Sequence, residues 1–211
     1  MEIEIMDQIF RLLPQKAILW IDAKTLLIGD LHLGKVTHFR KEGIAIPATA
    51  HANNIKRLDE LVIQNDVERI ILLGDLFHNK FNDEWKTFAA WRNNYQSIDI
   101  QIVLGNHDIL PHHLFHESSI GVNNDLKENS FLFTHHPKTN SEEGTYVFSG
   151  HIHPVYCLRS PAKQSLKFPC FIFDKWQAIL PSFGVFTGGY EMKKQSHRKI
   201  YVIADNKVII V

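Results

Sequence analysis

The sequence predicts an α/β protein built as a sandwich of two β-sheets flanked by helices. Three observations carry that reading. Helical patterns alternate with short apolar strands up to about residue 120, and from there candidate strands follow one another with little helix between them. Of the 211 residues, 45% are hydrophobic and 22% charged, which is enough apolar mass for a core and unlike a disordered chain. Several apolar runs also end alike, in glycine followed by Asp, Asn or His. Two sheets face to face, with helices outside, is the simplest packing of such elements, in a single domain over residues 1–211.

Residues 17–21 (AILWI) and 26–28 (LLI) read as paired strands across the turn Asp22-Ala23-Lys24. Residues 49–64 read as a helix, with Thr49 as its cap, Pro47 just outside and Ile55, Leu58, Leu61 and Val62 recurring on one face. Residues 67–73 (VERIILL) form a buried strand, and 83–95 a helix capped by Asn82, with Asp83 and Glu84 at its positive end. Residues 98–104 form another strand, and a short helical stretch follows Pro111. The candidate strands of the second half are 130–134, 145–149, 155–159, 168–173, 177–180, 200–204 and 207–211, the last two joined by a tight turn at Asp205-Asn206.

Composition narrows the function classes. With 11 Gly and 8 Pro the chain is neither collagen-like nor low-complexity. No apolar run approaches the ~18–20 residues of a membrane helix, so no membrane is expected. The N-terminus MEIEIMDQIFRLLPQK lacks the features of a signal peptide. Cys157 and Cys170 make no disulfide framework, have no partner spacing and are expected buried and inert; a reducing, cytoplasmic compartment is the expectation. Lys and Arg (23) balance Asp and Glu (23), so any polyanion must be met by a local field. The outlying count is 13 histidines, and their placement decides what they do.

That placement is at strand ends. LLIGDLH delivers Asp30 and His32, IILLGD delivers Asp75, and IVLGNHD delivers Asn106, His107 and Asp108. FLFTHH delivers His135 and His136, and YVFSGHIH delivers His151 and His153. Ligand sites of α/β proteins lie beyond the carboxyl ends of strands. The glycines before Asp30, Asp75, Asn106 and His151 are expected to let the backbone turn sharply. Gly-Asp alone is an ordinary turn, but Gly-Asn-His-Asp has no packing rationale, and five such ends in one chain argue for a site. Carboxylate, imidazole and amide oxygen without thiolate suit Mn²⁺, Fe²⁺ or Zn²⁺. The seven candidate ligands exceed the needs of one ion and suit two ions ~3.5–4 Å apart sharing a carboxylate, a phosphoryl-transfer arrangement.

In this order, D-x-H, G-D, G-N-H-D, a lone His and G-H-x-H resemble the calcineurin-like metallophosphoesterase superfamily. The resemblance implies a four-layer αββα sandwich with two mixed β-sheets. It implies Asp30, His32, Asp75 and His153 on one metal and Asp75, Asn106, His135 and His151 on the other, with Asp75 bridging. His107 is implied to face the scissile phosphate and Asp108 to orient His107, as the catalytic pair. The stretches GDLHLGKVTHFRKEGIAIP, GDLFH, GNHD, FTHHP, SGHIHP and LPSFGVFTGG, from about residue 12 to 189, resemble more specifically the ligase-associated metallophosphoesterases, Mn-dependent endonucleases linked to bacterial DNA repair. His136 stands where glycine often follows the lone histidine.

Outside the ligand set, Lys35, Arg40 and Lys41 follow the first motif between Gly34 and Gly43. Lys35 and Arg40 read as a cationic flap on a phosphate backbone, with Phe39 available to stack on a base, and Lys41 as part of a solvated loop. Lys35, Arg40, His78 and His136 are the candidate substrate contacts. His112, His113 and His116 read as a wet surface segment. Phe183, Phe186 and Gly188-Gly189 read as packing and a turn, and Trp85, Phe88 and Trp91 as core.

The implied function is a dinuclear-metal phosphodiesterase with two divalent ions, Mn²⁺ foremost, acting on single-stranded DNA. A bridging hydroxide attacks phosphorus in line. The resemblance also implies a functional link to a DNA ligase, an exonuclease and a helicase. The sequence leaves the oligomeric state open. Alternatives are a phosphomonoesterase, a small-nucleotide pyrophosphatase or phosphodiesterase, and a non-catalytic scaffold of this fold, the last disfavoured because every ligand position is filled.

Overall fold

The computed structural model describes residues 1–35, 49–77, 83–108, 110–159, 165–185 and 187–211. Strands β1 (Glu2–Ile5), β2 (Gln8–Leu13), β3 (Ala17–Trp20) and β4 (Thr25–Gly29) form an antiparallel meander. From β4 the sheet continues in parallel through β5 (Arg69–Leu73), β6 (Asp99–Val103) and β7 (Ile120–Asn123). The crossovers carry α1 (Thr49–Gln64), α2 (Asp83–Asn93) and α3 (His112–Glu117). Strands β3 and β4 are buried along their whole length, as unbroken apolar runs require when both sheet faces are covered.

Side-chain alternation assigns the faces. Ala17, Leu19, Leu26, Ile28, Ile70, Leu72, Ile100 and Ile102 pack with Leu58, Leu61, Trp85, Phe88, Trp91 and Phe115 of the helices. Their neighbours Ile18, Trp20, Leu27, Ile71, Leu73 and Val103 turn to the second sheet. The stripe Trp85, Phe88 and Trp91 is therefore core, as its spacing predicts.

The second sheet comprises β8 (Leu126–Glu128), β9 (Phe131–Thr134), β10 (Tyr146–Ser149), β11 (Pro154–Arg159), β12 (Ser165–Phe173), β13 (Gln177–Ile179), β14 (Tyr190–Glu191), β15 (Lys199–Ala204) and β16 (Lys207–Ile210). Strands β9, β10 and β13 are parallel and most other pairings antiparallel, so both sheets are mixed. Aromatic rings fill the space between the sheets: Trp20 lies 4.9 Å from Phe131, and Phe10 lies 5.0 Å from Phe148. The described helices all lie on the outer face of the first sheet. The outer face of the second packs Cys170, Ile172, Ile179, Ile200 and Val202 under Met192. No helix among the described residues is long and apolar enough to cross a membrane.

Local structure departs from the sequence reading at the first hairpin and at Cys157 and agrees with it at the last turn. The β1–β2 hairpin is absent from the sequence reading because its turn is Met6-Asp7, at φ 51° and 60°, without the Asn-Gly signature of such turns. Asp205-Asn206, at φ 48° and 58°, is the turn its composition predicts. Cys170 is buried, which pushes its thiol up to about 12, but Cys157 is only half-buried, on the part of β11 beyond its two-residue pairing with β14.

Candidate metal centre

Parallel strands β4, β5 and β6 of the first sheet and β9 and β10 of the second all end at one edge of the sandwich. The residues that follow them meet there. Asp30 and Asp75 are 0% and 3% exposed, and His135 is 2% exposed. Such burial of two carboxylates is costly unless cations or donors face them.

Asp75 stands between two imidazoles: its Oδ2 lies 3.7 Å from His32 Nε2 and its Oδ1 3.6 Å from His135 Nε2. Around Asp30, the Nε2 atoms of His32 and His153 are 3.2 Å apart, and His153 Nε2 is 3.2 Å from Asp30 Oδ1. On the other side His151 Nδ1 lies 3.1 Å from His135 Nε2, and the His136 ring is 4.1 Å from that of His151. Three overlapping groups have ligand atoms within 4.8 Å of one another: Asp30, His32 and His153; Asp30, Asp75 and His135; and His135, His136 and His151.

The donor chemistry fits divalent cations. Asp30 Oδ1 is buried and accepts no hydrogen bond from a described residue. Imidazole nitrogens that converge at 3.1–3.2 Å can share one proton between them, and the same convergence suits a shared cation. The far nitrogens are tied back: His153 Nδ1 lies 3.2 Å from the Thr187 carbonyl and His135 Nδ1 3.1 Å from the Leu73 carbonyl. Those carbonyls accept, so the proton sits on Nδ1 and Nε2 keeps its lone pair. Burial and the neighbouring His135 and His136 push His151 below the usual imidazole range, and burial with His135 does the same for His136. Both favour the neutral form that binds metal.

The backbone that aims these groups is strained. Asp30, His32, Asp75, His151 and His153 have φ of 47°, 47°, 47°, 66° and 50°. A left-handed residue with a side chain costs on the order of 1 kcal/mol, and such positions cluster at functional sites. This corrects the expected role of the glycines. Only Gly74 among those four is left-handed, and a Cβ there would also meet His135 Nδ1 at 2.0 Å. The others serve close approach: a Cβ on Gly105 would meet the Asp75 amide nitrogen and Oδ1 at 2.3 Å, and one on Gly150 would meet Asp30 Oδ2 at 2.4 Å.

The Gly-Asn-His-Asp loop closes over Asp75. The His107 amide donates to Asp75 Oδ1 at 2.9 Å, and the His107 ring centroid lies 5.7 Å from that of His32. Asn106 Oδ1 is 2.7 Å from His136 Nε2, which brings the amide to the His135–His151 side. Asp108 accepts from the amides of Leu76 (2.8 Å), Phe77 (3.3 Å) and Gly105 (2.8 Å), so it pins the Asp75 loop to the loop that carries His107. Burial raises its pKa to about 6 against the pull of those amides.

Lys35 is half-buried in the field of Asp75 and Asp30, and burial still lowers its pKa. Arg40 and His78 lie outside the described residues, as do Phe39, Lys41, Gly43, Asn82 and Phe186. His112, His113 and His116 are exposed on α3 and enter none of the three ligand groups.

One part of the site lies in the stretch LPSFGVFTGG, which the sequence reading takes as packing and a turn. The Ser182 hydroxyl (2.8 Å) and the Gly184 amide (3.1 Å) both donate to the Asp30 carbonyl, and the Phe183 amide donates to the Gly29 carbonyl at 2.8 Å. Arg57 of α1 donates to the Phe183 carbonyl and stacks 4.0 Å over its ring.

Comparison with known proteins agrees with this geometry. Residues 23–178 match the family model described as calcineurin-like phosphoesterase. The crystal structure of the nuclease MPE from Pseudomonas putida superposes with a TM-score of 0.82 at 30% identity, covering 100% of this chain and 99% of that one. Yfce, a phosphoesterase from E. coli, superposes with a TM-score of 0.47 at 14% identity over 89% of this chain and 97% of that one. No curated protein matches the chain in sequence.

Proposed function

Because the chain belongs to the calcineurin-like phosphoesterase family, we propose that it is a dinuclear-metal phosphodiesterase that cuts DNA, a Mn²⁺-dependent endonuclease of the ligase-associated kind. The observation that carries the reading is the position of Asp75, between His32 at 3.7 Å and His135 at 3.6 Å, with a ligand group on either side. The nucleic-acid substrate is supported by 30% identity to a nuclease over essentially the whole of both chains. The link to DNA repair, ligase, exonuclease and helicase rests on the motif resemblance.

In this reading Asp30, His32, Asp75 and His153 hold one divalent ion, and Asp75, Asn106, His135 and His151 the other. Bound there, the ions would polarise the phosphoryl oxygens and lower the pKa of a water. Asn106 offers a neutral amide oxygen, so that side carries less negative charge than a carboxylate would give it. His107, its amide tied to Asp75, turns its ring toward the departing oxygen and donates a proton to it. Asp108 fixes the distance between the Asp75 and His107 loops. Lys35 and His136 flank the ligands as phosphate contacts.

A small phosphodiester or phosphomonoester is favoured by the zero net charge alone. The test is Mn²⁺-loaded protein on circular single-stranded DNA, an aryl phosphodiester and an aryl phosphomonoester. The reading expects the circle to be cut, the diester hydrolysed and chelator to abolish both. An intact circle with rapid monoester turnover would replace it by the small-substrate reading.

A further inference from the structure

Arg57 is a poorly compensated cation. Its guanidinium donates to the Phe183 carbonyl and to Asn54 Oδ1 (3.3 Å), lies 4.0 Å over the Phe183 ring, and leaves Nε without a hydrogen bond among the described residues. Neither of those bonds goes to a carboxylate; Glu60 acts on it only through space, and burial lowers its pKa to about 10. Lys16, in the turn between β2 and β3, repels it further. A side chain that only filled this space would do so at less cost as Met or Leu, because burying an incompletely paired charge is unfavourable.

What Arg57 holds is a strap. Ser182, Phe183 and Gly184 run beside the end of β4, where Gly29 and Ser182 form a parallel bridge. The strap gives two hydrogen bonds to the Asp30 carbonyl and one to that of Gly29. It cannot ride higher or carry a side chain at residue 184, since a Cβ there would meet the Leu31 carbonyl oxygen at 2.5 Å. Asp30 and His32 are both left-handed, so their direction depends on what grips the backbone at this point.

We propose that Arg57 is a positioning residue for the centre: through Phe183 it locks the Ser182–Gly184 strap, and the strap locks the turn that aims Asp30 and His32. The inference rests on reading Asp30 and His32 as metal ligands. Groups that orient ligands from behind are worth 10–100-fold in metal affinity.

The experiment is a calorimetric titration of Mn²⁺ into the parent protein, Arg57→Met, Phe183→Leu and Ser182→Ala, with thermal melting of each. Arg57→Met keeps the packing volume and removes the uncompensated charge. It is expected to melt at or above the parent temperature while one of two Mn²⁺ sites weakens by roughly 10–100-fold. Phe183→Leu is expected to weaken the same site, and so is Ser182→Ala, which disturbs the fold least. Folded variants that bind two ions as tightly as the parent overturn the inference alone. A parent that binds no Mn²⁺ overturns the metal reading and this inference with it.

Discussion

The two sides of the centre are held in different ways. On the Asp30 side, groups far apart in sequence grip one turn: Ser182 and Gly184 on the Asp30 carbonyl, the His151 amide on Asp30 Oδ2 at 2.8 Å, and Thr187 on His153. On the His151 side, only His135 is tied to a distant backbone group, the Leu73 carbonyl, and beyond it the side chains lean on one another: His151 on His135, and Asn106 on His136. The first side is set by long-range closure of the sandwich, and the second by side chains that a bound ion would have to draw together. Asp75 is common to both. The difference teaches that the Asp30 side is the more preorganised, and its ion should bind more tightly.

The largest expected effect removes the shared element. Asp75→Asn should lower phosphodiesterase activity on the order of 10³-fold or more on DNA and on an aryl diester alike, because both sides lose a ligand. A variant that keeps substantial turnover with excess Mn²⁺ would dissolve the comparison, since the sides would then be independent.

Next comes His107, which belongs to neither side. His107→Ala should retain metal and lose roughly 10²–10⁴-fold on DNA, whose departing alkoxide needs a proton. An aryl diester, whose nitrophenolate leaves unprotonated, should lose far less. Equal losses on the two substrates would assign His107 to charge stabilisation.

Asn106→Ala sharpens the contrast. Loss of one ligand on the side that leans on its own side chains should weaken the second ion by roughly 10–100-fold and be largely recovered by added Mn²⁺. Metal titration of the rate reads this directly. A defect that added metal cannot recover would place Asn106 on the substrate.

The smallest effect concerns the back of the Asp30 side. Lys16 is lowered from 10.5 to about 8 by burial and by Arg57. Its folded pKa lies below the unfolded one. Stability therefore falls as pH drops from 10.5 to 8, while only the unfolded chain gains the proton, and stays level below that window. Lys16→Gln should remove this dependence and stabilise the protein at pH 7 by about 1 kcal/mol after allowance for solvent screening. Denaturant melts of both proteins at pH 7 and 10 check the sign, and a destabilised variant would contradict it.

Much of this was legible in the sequence, and the residues say why. Asp30, Asp75 and His135 end apolar runs, and a parallel sheet must deliver its strand ends to one edge. Phe88 and Trp91 repeat at helical spacing and are core. The stretch LPSFGVFTGG stood out, but what it touches was not legible: Ser182 meets Asp30 across 152 positions and Arg57 meets Phe183 across 126, distances over which spacing is silent. The left-handed conformation of Asp30, His32, Asp75, His151 and His153 was hidden too, because Asp and His at positive φ leave no signature beside them. The three amides that Asp108 accepts from, of Leu76, Phe77 and Gly105, were not legible either, because two of them lie more than 30 positions away.

The central claim is a two-ion centre joined by Asp75. Elemental analysis of protein loaded with Mn²⁺ and freed of excess metal tests it most directly, on the parent chain and on Asp75→Ala. Two ions per chain in the parent and loss of both in the variant is the predicted result. Two ions retained by Asp75→Ala, or one ion in the parent, would contradict it.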